Sequence, residues 1–150
     1  EVIRKCFCDF DVEKVASFDV DDIERIMHTD DMIKSLRKVN AMISNAKAFI
    51  DVQKEFGNFN KYLWSYSNGK TICYKGHEQG INISKNDLST LISNDLKKRG
   101  FKYVGPVIIY SYLQACGIIN DHDKECICYQ KIKNNYPCIT MDEEDIYKIF

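Results

Sequence analysis

Apolar residues recur at three- and four-residue steps through Ile33, Leu36, Val39, Ile43, Ala46, Phe49 and Ile50. That period lines one face of a helix, and it predicts a long one from Ile33 to Phe56, ended by Gly57 and Asn58. Upstream, Asp19 is placed to cap a helix reaching His28, with Asp22 in its first turn. Asn58 opens a shorter helix carrying Tyr62, Leu63, Trp64 and Tyr66, and Ser67-Asn68-Gly69 reads as a turn. Lys70 to Asn82 has weak periodicity and reads as a loop. Ser84 with Asp87 resembles a capping box before a helix whose apolar face is Leu88, Leu91, Ile92 and Leu96. Gly100 stops it. Gly105-Pro106 starts the next, with Pro where the first turn needs no amide donor, and that helix runs to Cys116 with Gly117 after it. Beyond Tyr129 the chain turns polar, and Asp142 to Phe150 reads as a short amphipathic helix. The pattern predicts an all-α fold: one domain over residues 1–129 and a polar C-terminal tail over 130–150.

Composition narrows this. A length of 150 residues with 45% hydrophobic content suits one domain with a real core. The net charge of −1 excludes a surface that attracts polyanions everywhere, but a local basic patch remains open. No apolar run is long enough to cross a membrane, and Glu1-Val2-Ile3-Arg4-Lys5 is no signal peptide. The seven Cys, an odd number without a secretory signal, point to a reducing cytosol rather than a disulfide framework. The absence of an initiator Met leads us to expect a chain that begins inside a longer protein.

One segment concentrates candidate chemistry. Lys97, Lys98, Arg99 and Lys102 crowd a short link between two helices, with Gly100 and Gly105 at its ends. Such a link, followed by a helix N-terminus with unpaired amides, suits a phosphate backbone gripped without reading sequence. An ordinary αα-hairpin with a solvated basic corner fits the spacing as well. His122 and Cys126, four apart, offer imidazole and thiolate of the kind zinc takes; the pair alone is also compatible with coincidence. Cys128 is a substitute ligand, and a Cys-rich site joining Cys6 and Cys8 to Cys126 is an alternative, although Cys6 reads as core. Asp121 and Asp123 read as solvated loop carboxylates, Trp64 as core, and His28 and His77 carry no motif. Arg37, Lys38 and Lys47 fall on the polar side of the long helix.

The run Lys97-Lys98-Arg99-Gly100-Phe101-Lys102-Tyr103-Val104-Gly105, continued by Tyr110-Ser111-Tyr112-Leu113-Gln114-Ala115-Cys116-Gly117-Ile118-Ile119-Asn120-Asp121-His122, closely resembles the C-terminal half of 3-methyladenine DNA glycosylase I. Phe10-Asp11 with Val15-Ala16, then Asp22-Ile23-Glu24-Arg25, Asn45-Ala46-Lys47-Ala48 and Trp64-Ser65, follow that family's order. The resemblance covers Ile3 to Tyr129. It implies a helix-hairpin-helix bundle that excises 3-methyladenine from double-stranded alkylated DNA in the cytoplasm, as a monomer without a redox cofactor. It implies a structural zinc, of whose ligands His122 and Cys126 are the later pair. The earlier pair, the carboxylate and several aromatics that recognise the base are expected upstream of Glu1, which would leave this chain inactive alone. The family is understood to lack the catalytic Asp of other helix-hairpin-helix glycosylases. By the resemblance, Lys97, Lys98, Arg99, Gly100, Lys102 and Gly105 meet DNA, and Ser111, flanked by Tyr110 and Tyr112, lines the base pocket. The rival readings are a non-catalytic helix-hairpin-helix DNA-binding module and a zinc-stabilised structural domain.

Overall fold

Gly57, at φ 85°, sits in a conformation few other residues adopt, and it ends the longest helix where the sequence places the stop. The computed structural model describes residues 1–148, and the side chains of residues 1–146. In it the first unit comprises Glu1–Phe59 with Lys97–Tyr103, and the second Asn60–Leu96 with Val104–Phe150.

The first unit contains α1 (Val2–Cys6), α2 (Val12–Ala16), α3 (Val20–His28) and α4 (Leu36–Phe56). Asp11 accepts the Lys14 amide at the start of α2 (3.1 Å). Asp19 accepts the amides of Asp21 and Asp22 at the start of α3, and Asp22 reciprocates, which is the expected cap. α4 starts at Leu36, later than its apolar period, so Ile33 precedes it and both residues are exposed. Val39, Ile43 and Ala46 of α4 pack with Cys6, Phe7, Val15, Ile26 and Met32. Between α1 and α2, Cys8, Asp9 and Phe10 take φ values of 50°, 56° and 62°, three consecutive left-handed residues, none of them Gly.

The second unit contains most of α5 (Phe59–Ser65), then β1 (Thr71–Tyr74), α6 (Lys75–Glu78), most of α7 (Asp87–Lys98), α8 (Pro106–Ala115), α9 (Ile127–Asn135) and β2 (Cys138–Met141). The all-α expectation therefore needs correction: the chain is mostly helical, with a small parallel sheet pairing Thr71 with Cys138 through Tyr74 with Met141. The supposed loop over Lys70–Asn82 supplies β1 and α6. β1 is wholly buried but only four residues long, too short for a period to show. The segment after Tyr129, expected as a polar tail, contributes most of α9 and all of β2 and buries Met141 and Ile146. A 3-10 turn spans Asp145–Lys148 where an amphipathic helix was expected, and the remainder of that expected helix, residues 149–150, lies outside the described residues.

α7 is capped two residues later than expected. Asn86 Oδ1 accepts the Ser89 amide and Ser89 Oγ accepts the Asn86 amide (2.9 Å each), so Ser84 is not the cap. α8 begins at Gly105-Pro106 and Gly117 (φ 76°) follows it, as the sequence indicates. Leu88, Ile92, Leu96, Ile109, Leu113, Ile118 and Ile119 are buried core residues of this unit. Trp64 is half-buried; Tyr62 and Leu63 beside it are buried instead.

Candidate functional site

The link between α7 and α8 is shaped by one side chain of α4. Asn45 Oδ1 accepts the Lys102 amide (2.7 Å) and Asn45 Nδ2 donates to the Lys102 carbonyl (3.1 Å). That reciprocal pair satisfies both backbone groups of a residue at the bend, beside Tyr103 at φ 58°. Arg37 Nε donates to the Tyr103 hydroxyl (2.7 Å), and its guanidinium lies 5.7 Å from the ring centre. Arg37 is therefore part of this corner rather than of a plain solvated face. Leu36, Arg37, Asn40, Ala41, Ser44, Lys102 and Tyr103 line a cavity of about 880 Å³.

Of the four expected cations, Lys97, Lys98 and Lys102 are exposed. Arg99 differs. Its guanidinium forms a two-pronged bond to Glu55 (2.7 and 3.2 Å) and lies 5.1 Å from the Phe56 ring centre. Gly100 takes φ 96°, and a Cβ there would meet nothing within 4 Å, so its backbone conformation alone calls for glycine. Gly105 has an ordinary φ of −64° and equally open surroundings, so nothing within the fold requires glycine there.

The outer face of α8 is open. Ser111 is exposed there, with Val107 (48%), Ile108 (57%) and Tyr112 (40%) on the same surface, whereas Tyr110 is buried.

The chain after α8 forms a polar knot. Asp121 is not a solvated carboxylate: its side chain is 8% exposed and its Oδ2 accepts the Tyr110 hydroxyl (2.7 Å) and Gln114 Nε2 (2.8 Å). Burial, then this bond, push the Tyr110 hydroxyl pKa well above its ordinary value. His77, to which the sequence assigns nothing, is buried against the same carboxylate. Its Nδ1 lies 3.2 Å from Asp121 Oδ1, at an angle that makes no hydrogen bond, and its Nε2 lies 3.1 Å from the His122 carbonyl oxygen. Asp123 is exposed, as expected.

His122 and Cys126 do come together, with Nδ1 4.0 Å from Sγ. A tetrahedral zinc with ordinary bond lengths would hold such atoms about 3.6 Å apart, so the pair fits half a shell after a small shift. Cys128 is exposed nearby in sequence. Among the described residues no three His, Cys, Asp or Glu side chains converge as a complete metal site requires, and the alternative with Cys6 and Cys8 gains no support.

Sequence reasoning missed Asn45 and His77. Asn45 had a signal: it is a polar residue beside the apolar face of α4, within a segment that matched a known family. His77 had none, because its partner His122 is 45 residues away.

Comparison with known proteins supplies what the geometry leaves open. A family model described as methyladenine glycosylase matches residues 1–129. The chain is 36% identical over 129 residues to DNA-3-methyladenine glycosylase 1 of Escherichia coli (strain K12), covering 86% of this chain and 69% of that protein. It is 33% identical over 128 residues to the DNA-3-methyladenine glycosylase of Haemophilus influenzae, covering 85% and 69%. Among solved structures it resembles 3-methyladenine DNA glycosylase I from Staphylococcus aureus, described for its recognition of 3-methyladenine, with TM-score 0.75, 35% identity, and 84% and 67% of the two chains covered.

Proposed function

This chain belongs to the methyladenine glycosylase family, and from that we infer that its protein hydrolyses the N-glycosidic bond of 3-methyladenine in alkylated DNA, the first step of base excision repair. The observation that carries this reading is the family match over residues 1–129, which contains α7, α8 and the polar knot without interruption. Release of free base from methylated DNA tests it. Failure of every longer version of the protein to release 3-methyladenine would overturn it in favour of a non-catalytic DNA-binding module.

The chemistry asks little of an acid or base. A 3-methylated adenine is already cationic and leaves readily, so the work is to turn the base out of the helix and enclose it. No carboxylate of this chain is needed to attack, and Asp121, held by Tyr110 and Gln114, is committed to structure. Ser111 on the open face of α8 is the pocket contact we assign, with Tyr112 beside it and the buried Tyr110 behind.

We assign α7, its link and α8 as the helix-hairpin-helix grip on double-stranded DNA. Lys97, Lys98 and Lys102 contact phosphates, and the first amides of α8 receive one. Glycine at position 105, unrequired by the fold, is explained by close approach of that phosphate. Arg99 braces the link through Glu55 and contributes its remaining field. Lys98→Ala and Lys102→Ala are each expected to weaken DNA binding alike for all sequences. Each should reduce the slope of log affinity against log salt by about one unit. An unchanged slope in the double variant, measured by fluorescence anisotropy, would remove the link from the interface.

The zinc that the family likeness suggests would be held here by His122 and Cys126, where it would tie chain segments together and take no part in bond cleavage. Two ligands leave the shell incomplete, so this chain, freed of metal and dialysed against zinc, is expected to retain well under one equivalent by elemental analysis. Stoichiometric zinc lost on Cys8→Ser would show that the Cys-rich arrangement is the right one. No described helix is long and apolar enough to cross a membrane, and a monomer acting beside DNA in the cytoplasm is the setting we propose.

A further inference from the structure

We propose that His77 is a positioning residue that sets the separation of His122 and Cys126; this rests on reading that pair as zinc ligands. The ligand residues lie on two limbs, the turn after α8 and the start of α9, where Cys126 is the N-cap. Both limbs are tied to the four-residue helix α6. His77 Nε2 reaches the His122 carbonyl (3.1 Å), and its Nδ1 faces the Asp121 carboxylate, which Tyr110 and Gln114 already fix to α8. The next residue, Glu78, accepts bonds from the Tyr129 hydroxyl and from Lys133 Nζ (2.7 Å), both on α9. Asn120 Nδ2 closes the circuit by donating to the Tyr129 carbonyl (3.3 Å).

Adjacent residues of α6 thus hold the His122 limb and the Cys126 limb. α6 is itself anchored by Lys75 to Asp142 (2.8 Å), and it follows directly on β1, which pairs with β2. Asp142 and β2 both lie beyond the family match. By holding the His122 main chain through Nε2, His77 fixes where that residue sits before metal arrives, a supporting role of the kind outer-shell partners play.

Cobalt(II) titration of the 150-residue chain, read by the near-ultraviolet thiolate-to-cobalt absorption, tests this. It is carried to millimolar metal, because two ligands bind weakly and release metal on dialysis. No band in the wild-type chain would overturn the ligand assignment and this proposal with it. His122→Ala and Cys126→Ser are expected to abolish the band. His77→Phe should weaken apparent affinity about 10-fold or more, and His77→Gln, which returns one donor to the His122 carbonyl, about 3-fold. Tyr62→Phe removes a buried hydrogen bond to Asp95 in the same unit and should leave the affinity unchanged, which separates positioning from general loss of stability. Loss of binding in Tyr62→Phe equal to that in His77→Phe would reduce His77 to a structural residue.

The two readings fail differently. Wild-type binding by His122→Ala and Cys126→Ser would overturn the ligand assignment and this proposal with it. Loss of binding in those two variants, with His77→Gln and His77→Phe at wild-type affinity, would overturn the positioning role alone. If circular dichroism shows that His77→Phe does not fold, His77→Gln decides, since wild-type affinity in it contradicts the proposal.

Discussion

Assayed on methylated DNA, the 150-residue chain by itself is expected to release 3-methyladenine at least about 100-fold more slowly than its Escherichia coli relative, the scale of loss that follows when a reacting group is poorly held. The structural reason lies on α8. Ser111 is flanked by exposed Val107, Ile108 and Tyr112, so a base set against it meets one wall and water. Turning a nucleotide out of the stack costs a few kcal/mol, and enclosure in a closed pocket must return that. Water left in the pocket also weakens each electrostatic contact to the cationic base. The chain spans 69% of its curated relatives' length. Fusing to it the portion of the Escherichia coli protein that it does not match is expected to restore release. Release by the chain alone within roughly 10-fold of the relative, about 1.4 kcal/mol of barrier, would show that the pocket is placed wrongly.

Asp121→Ala is expected to destabilise the protein by about 3 kcal/mol, read as a lower urea midpoint at unchanged slope. The carboxylate is almost fully buried and accepts two bonds from α8; without it, the Tyr110 hydroxyl and the Gln114 amide lose their acceptor. The buried Tyr110 hydroxyl left without its acceptor costs about 1–3 kcal/mol, more than the net worth of the bond it made, and the exposed Gln114 amide, which turns to water, adds only the lost bond. Tyr110→Phe removes one donor and leaves the carboxylate bonded to Gln114, so a loss of only about 1 kcal/mol is expected. The double variant should lose less than the sum of the two, because both changes break the same bond. Additive losses would mean that Asp121 acts elsewhere.

The helices with local punctuation were readable from the sequence. α3 announces itself through the Asp19 and Asp22 cap, α4 through its apolar period and Gly57, and α8 through Gly105-Pro106 and Gly117. Each signal lies within a few residues of the feature it sets. What was not readable depends on partners far along the chain. β1 is recognisable only once Cys138–Met141 lies beside it. Asp121 looks solvated until Tyr110 and Gln114 of α8, and His77 of α6, are seen around it. The basic link was legible as four cations, but not the fact that Glu55 takes one of them, because Arg99 and Glu55 are 44 residues apart. The four-residue spacing of His122 and Cys126 suggested a shared face only for a helix, whereas the two side chains meet across a turn that leads into α9.

The discontinuity of the first unit bears on the order in which the protein is made. As the chain leaves the ribosome, α1 to α4 emerge early, but Asn45 receives its hairpin partner only when Lys102 follows, 57 residues later. β1 must wait longer, for its bridge at Ile119 and then for its pairing with Cys138–Met141. Contacts this distant close large loops and form slowly. Thr71–Tyr74 therefore lacks its strand partners until those segments emerge, and a ribosome stalled after α8 would display a nascent chain with an unpaired, aggregation-prone edge. β1 acquires β2 only after every helix of the first unit has emerged, so the sheet forms later than the helical core around Val39, Ile43 and Ala46.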